Sequence, residues 1–141
     1  VKSVKSKPRI VLDTNVWVSG LVFAGQPGKI LDLFGLDEVR IVISEELLSE
    51  LRRIITEKFP LYILDLQLLI EAIHQRALLV ELGSQTVTAS RDPDDNTVIE
   101  TALIGNCKYI VSGDKDLLVI ANYEDIQIIT PAEFLELISK P

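Results

Sequence analysis

Asp13, Glu50, Asp95 and Asp114 stand where an α/β fold would gather four carboxylates into one pocket. Asp13 closes the apolar run Arg9-Ile-Val-Leu12, and Asp114 follows the run Tyr109-Ile-Val-Ser112. Glu50 and Asp95 belong to two predicted helices between those runs. Carboxylates drawn together repel one another, so a pocket made of them is stable mainly when a cation occupies it. Oxygen ligands alone favour Mg²⁺ or Mn²⁺ over zinc, which prefers His or Cys. The chemistry on offer is metal-assisted hydrolysis, in which a bound ion acidifies a water.

Taken singly, the four differ in strength. Asp13-Thr14-Asn15 places a carboxylate, a hydroxyl and an amide directly after a strand, a set suited to a hard cation and its waters. The plain alternative is an Asx turn that starts a helix. In Arg91-Asp-Pro-Asp-Asp-Asn96, Asp92 reads as an N-cap and Pro93 as the first helical residue. Asp95 then precedes Val98 and Ile99 by three and four positions and shares their core-facing stripe, whereas Asp94 points away. Asp114 follows its strand by two residues and can also cap a helix starting at Lys115; Asp116 is a second acid within reach, and the Ser112 hydroxyl can hold a carboxylate or phosphate oxygen. Glu50 lies at the margin of the stripe Leu47, Leu48, Leu51, Ile54 and Ile55, where periodicity alone makes it a boundary salt-bridge residue.

The elements that must position these groups are legible as short β-branched runs at 9–12, 40–43, 78–82, 109–112 and 126–130. Helical patterns fill the intervals at 28–37, 45–58 (with Ser44 as N-cap), 61–77, 93–105, 115–121 and 132–139. Alternation of this kind predicts βαβ units around a parallel sheet, which binds ligands at the carboxyl ends of its strands. Asp13 and Asp114 fall at that edge. One domain over residues 9–141, preceded by a basic extension over 1–8, accounts for the chain.

Composition narrows the function classes. Hydrophobic residues make up 48% of the 141, enough for a real core, and no apolar run nears the ~20 residues of a membrane span. The basic segment Val1–Lys7 has no apolar stretch behind it and is not read as a secretory signal, so a cytoplasmic location is expected. A single Cys107 rules out an intramolecular disulfide and is expected as core filler. The net charge of −7 argues against a broad basic surface for duplex DNA, leaving Lys2, Lys5, Lys7 and Arg9, or Arg52 and Arg53, as candidate phosphate contacts. His74, the only histidine, is expected at the surface, which disfavours RNA cleavage by paired histidines. Trp17, Phe23 and Phe34 are expected in the core or an interface rather than as base stackers.

Four segments in order, Ile10-Val-Leu-Asp-Thr-Asn-Val16, Ser44-Glu-Glu-Leu-Leu-Ser-Glu-Leu51, Asp92-Pro-Asp-Asp-Asn96 and Ile110-Val-Ser-Gly-Asp-Lys-Asp-Leu117, resemble the PIN-domain nuclease family, in particular its VapC-like branch of toxin–antitoxin systems. The resemblance implies an α/β/α sandwich around a parallel sheet of about five strands. It also implies a Mg²⁺- or Mn²⁺-dependent endoribonuclease acting on single-stranded or loop RNA, blocked by a small antitoxin protein and pairing as a homodimer. Position by position, its acids match Asp13, Glu50, Asp95 and Asp114, with Asp116 as a further metal ligand. Supporting polar positions are Thr14, Asn15, Asp92, Asn96 and Ser112. The match lifts Glu50 above its boundary reading. A receiver-type switch is set aside because Ile128-Ile-Thr-Pro131 offers no lysine past the last strand, and two rivals stand beside the resemblance. One is an inactive PIN-like module that binds RNA or protein. The other is a phosphatase with Asp13 as nucleophile, although Asp13-Thr14-Asn15 lacks a second acid two positions on.

Overall fold

β-Branched runs of three to five residues become strands where helices can cover both of their faces. The computed structural model describes residues 7–83 and 87–140. Along the chain these form β1 (Arg9–Leu12), α1 (Thr14–Val22), α2 (Gly25–Gly35), β2 (Arg40–Ser44), α3 (Glu45–Lys58), a 3₁₀ turn (Pro60–Tyr62), α4 (Ile63–Arg76) and β3 (Leu78–Val80). After them come α5 (Pro93–Ile104), β4 (Tyr109–Val111), α6 (Lys115–Leu118), β5 (Asn122–Tyr123), β6 (Ile126–Ile129) and α7 (Pro131–Ser139).

The sheet order is β3-β2-β1-β4-β6-β5, parallel except for β5 against β6. From β1 the chain steps outward to β2 and β3, then returns to lay β4 on the other side of β1. That reversal makes the gap beyond the carboxyl ends of β1 and β4 a topological switch point, where α/β sheets receive ligands. Right-handed crossovers put α5 on the opposite face from the helices of the outward path, which gives the three-layer sandwich expected. The core is sealed by fully buried Ile10, Leu12, Ile41, Ile43 and Ile110 of the central strands.

Two contacts fix α5 against the sheet. Thr101 Oγ1 and Ser44 Oγ are hydrogen-bonded at 2.9 Å, joining α5 to the end of β2 and the start of α3. At the other end Gly105 lies so close to β2 that a Cβ there would meet Val42 Cγ1 at 2.5 Å. The helix that carries Asp95 is thereby locked to the helix that carries Glu50.

Several boundaries differ from the sequence expectation. Helix α2 begins at Gly25 rather than 28, because Pro27 fits the first helical turn, where its missing N–H costs nothing. Residues 14–22 form a helix of their own, not only a turn. The segment expected as a helix to 121 stops at Leu118; Ala121 adopts φ 64° and the chain turns back as the hairpin β5–β6, adding a sixth, antiparallel strand. Trp17 and Phe34 are core residues in edge-to-face contact at 5.9 Å, but Phe23 is exposed and leans on Phe59. Cys107 is buried as expected, and burial pushes its thiol up to about 12. His74 is exposed on α4.

Of the basic N-terminal strip, Lys2 and Lys5 lie outside the described residues. Lys7 pairs with Asp37 at 2.9 Å and Arg9 donates to the Gly105 carbonyl at 3.2 Å. Both sit at the amino end of β1, a strand's length from Asp13, and serve the fold there rather than the acidic edge.

Candidate metal centre

The register of β1 on β4 builds the floor of the site. Leu12 pairs with Val111, and Asp13 N–H donates to the Val111 carbonyl at 2.9 Å. The residues just past both strands therefore share one ledge. Ser112 Oγ donates to Asp13 Oδ2 at 2.7 Å and accepts from the Asp114 N–H at 2.9 Å. Asp114 then caps α6 by accepting from the Asp116 N–H at 3.0 Å. One fully buried hydroxyl thus holds two acids in place.

The amino end of α5 supplies the wall. Asp92 is its N-cap, accepting from the Asp94 N–H at 3.0 Å, and Pro93 occupies the first turn. Asn96 grips the preceding loop at both ends of its amide, accepting from Ser90 N–H and donating to the Ser90 carbonyl, each at 2.8 Å. Ser90 Oγ in turn donates to Asp95 Oδ2 at 3.2 Å and accepts from the Asp92 N–H at 3.1 Å. Asp95 is buried on the core-facing stripe, as its spacing predicts, and Asp94 is exposed.

These two frames bring carboxylate oxygens of Asp92, Asp95 and Asp114 within 4.8 Å of one another. Asp13 adjoins the trio through Ser112. Burial holds its carboxyl above the ordinary range, against the pull of the Ser112 and Thr14 donors, and the charges of Asp114 and Asp92 push the same way. Glu50 is half-buried across the site; its carboxyl is raised by burial, then by the charges of Asp94 and Asp13, with Arg53 opposing. Asp95 is raised to about 7, first by burial and then by the adjoining Asp114 carboxylate. All three shifts report negative charge confined in a poorly solvated space.

The remaining candidates divide. Thr14 is buried, and its Oγ1 satisfies hydrogen-bond geometry with nothing among the described residues, although it lies close enough to Glu50 to lower that carboxyl's pKa. Asn15 is exposed. Asp116 is half-buried beside the trio and faces Arg91, whose Nη2 lies 3.4 Å from its Oδ1. Ser90 escaped the sequence reading. Its only signal was a small polar residue two places before an Asp-Pro pair, and its role exists only once the loop folds back onto Asn96.

A divalent cation fits these residues. Three carboxylates converge, the buried Thr14 hydroxyl lacks a partner that a coordinated water would provide, and every donor is oxygen. The soft and nitrogen ligands are elsewhere: Cys107 is buried ahead of the amino end of β4, and His74 is on α4.

Convergent acids at the carboxyl edge of a parallel sheet, without a glycine-rich phosphate loop, define an α/β protein with an oxygen-lined candidate cation centre. Residues 9–116 match the family model of the PIN domain, and the chain belongs to that family. Its members are in general metal-dependent nucleases. The chain is also similar to the uncharacterized protein MJ1680 of Methanocaldococcus jannaschii, with 29% identity over 148 residues that cover 96% of this chain and 94% of that protein. Its fold is shared with a crystal structure of VapBC2 from Rickettsia felis bound to a DNA fragment from their promoter. There the TM-score is 0.59 at 14% identity, over 86% of this chain and 98% of that one.

Proposed function

We propose that the protein is a divalent-metal-dependent endoribonuclease that cuts single-stranded or loop RNA, and that it is the toxin of a toxin–antitoxin pair acting in the cytoplasm. The observation that carries this reading is the convergence of Asp92, Asp95 and Asp114 beside Asp13 at the switch point of a PIN domain. Asp92, Asp95 and Asp114, with Asp13 beside them, would hold Mg²⁺ or Mn²⁺, and Glu50 and the buried Thr14 hydroxyl would complete the wall. A bound ion supplies acidified water and neutralises charge on the phosphate.

The side chains do the rest. Ser112 keeps Asp13 and Asp114 from turning apart, and Ser90 with Asn96 does the same for Asp92 and Asp95. Glu50, half-buried across from the carboxylate trio, is suited to take up a proton as water adds to phosphorus. The bond from phosphorus to the 3′ oxygen breaks and that oxygen takes a proton from water, leaving a 5′-phosphate and a 3′-hydroxyl. Unpaired RNA suits the open edge of the sheet, where a scissile phosphate is accessible. A small antitoxin protein and a second copy of the chain are the partners this reading includes. No described helix is long and apolar enough to cross a membrane.

The test is cleavage of a mixed single-stranded RNA pool with and without Mn²⁺, by wild type and by Asp13→Asn and Asp95→Asn proteins purified identically. Metal-dependent cutting by wild type alone, with 5′-phosphate ends, is expected. Equal activity in all three preparations, or 2′,3′-cyclic phosphate ends, rejects the assignment. Trapping a phosphorylated Asp13 would favour a phosphatase instead.

A further inference from the structure

An acidic centre in a chain of net charge −7 must receive a polyanion, and the charge that admits it has to come from specific side chains. Arg91 is placed for this. Its neighbour Asp92 belongs to the carboxylate trio, and its backbone runs between Ser90 and Asp92, which the Asn96 clamp and the Ser90 hydroxyl fix in space. Its side chain reaches from the start of α5 to the first turn of α6, where Nη2 meets Asp116 Oδ1 at 3.4 Å. That contact is long for a charge-assisted bond, which runs at about 2.7–2.9 Å. The Arg91 side chain remains 88% exposed. A guanidinium carries five donors in a planar fork, so one loose contact leaves most of them free. Of the other cations nearby, Arg53 is already paired to Glu57 at 3.1 Å, and Lys115, exposed between Asp114 and Asp116, offers a point charge without that fork.

We infer that Arg91 is a substrate-binding residue: its guanidinium clamps a backbone phosphate of the RNA next to the scissile one, and Asp116 holds it in readiness until substrate arrives. The inference rests on the proposed ribonuclease reading and adds a residue to it. Asp116 then orients Arg91 as well as bordering the metal centre. Since the contact is to phosphate, it contributes affinity without sequence preference.

The experiment compares wild type, Arg91→Gln and Arg91→Lys in Mn²⁺-dependent cleavage of a fluorescent oligoribonucleotide across a salt series, with Mn²⁺ affinity measured separately by calorimetry. For Arg91→Gln we expect KM to rise about tenfold, as for loss of one charge-assisted hydrogen bond. The slope of log KM against log salt should fall by about 0.7, the value for one phosphate contact on a single strand. Turnover should stay within about threefold and Mn²⁺ affinity should not move. Arg91→Lys should restore the salt slope but only part of KM, because lysine keeps the charge and loses the fork. Unchanged KM and salt slope in Arg91→Gln would overturn the inference while leaving the ribonuclease reading intact. So would a fall in turnover and Mn²⁺ affinity at constant KM, which would make Arg91 a strap between α5 and α6. A wild type that cuts no RNA with any divalent metal would overturn both.

Discussion

Replacing Asp95 with Asn should make the metal-free protein more stable while removing its activity. Asn has the shape of a protonated Asp: its carbonyl can accept from Ser90 Oγ, and its amide can donate to the Asp114 carboxylate that repels Asp95 now. Because the folded protein raises Asp95 from 3.8 to about 7, it binds a proton more tightly than the unfolded chain does. Stability from this group is therefore whole below about pH 4 and is lost as pH climbs through about 7. The full displacement is worth at most about 4 kcal/mol at ~1.36 kcal/mol per pH unit, and about half of it falls between about pH 5.5 and about pH 8.5. Water reaching the open side of the cluster reduces the observable part to about 1–2 kcal/mol. Asp13 and Glu50 shift in the same direction and persist in the variant, so the difference between the two proteins reports Asp95 together with the Asp114 carboxylate that adjoins it. Asp37 and Glu133 are shifted the other way and act only at lower pH. The assay is urea unfolding of both proteins in EDTA at those two pH values. An Asn variant whose advantage does not grow with pH, or which is less stable at the higher one, would refute the reasoning.

Mn²⁺ should reverse that order. At about one hundred times its dissociation constant it should add ~2.7 kcal/mol to wild type and little to Asp95→Asn, read as a shift in thermal midpoint. Ser112→Ala should cost about 1–3 kcal/mol and lower cleavage sharply, because it strips the donor from Asp13 and the acceptor from Asp114 N–H; urea unfolding and RNA cleavage measure the two effects. Gly105→Ala should destabilise by about 1–3 kcal/mol through collision with Val42, while Mn²⁺ affinity measured on the folded fraction stays close to wild type.

The central strands β1, β2 and β4 were legible because they are buried on both faces and so appear as β-branched runs, whereas the exposed edge strand β3 shows only as the apolar run Leu78–Val80. Caps were legible for a similarly local reason. Ser44 and Asp92 both accept from the first turns of their helices, as their sequence contexts indicate. The β5–β6 hairpin was hidden because its turn uses Glu124 at φ 51°, a position where the usual glycine or asparagine signal is missing. The early stop of α6 follows from the same hairpin, since Ala121 must leave the helix to bring Asn122 opposite Gln127.

The candidate site was legible in proportion to how locally each residue is held. Asp95 could be placed from its own helix, because three- and four-residue spacing to Val98 and Ile99 is enough to aim it inward. Glu50 could not, since what brings it near Asp13 is the packing of α3 on α1 and α5, which no stripe on α3 records. Asp92 is the instructive case. Capping explains it fully from sequence, yet the structure gives it a carboxylate oxygen in the trio as well as the cap. An aspartate has two oxygens, and one spent on a backbone N–H leaves the other free to face a cation. Asp114 uses the same division at α6, where it accepts from the Asp116 N–H and still joins the trio. Weighing a capping role against a ligand role is therefore a false choice for these two residues: the cap fixes the carboxylate's direction, and a fixed direction is what a preorganised cation site requires.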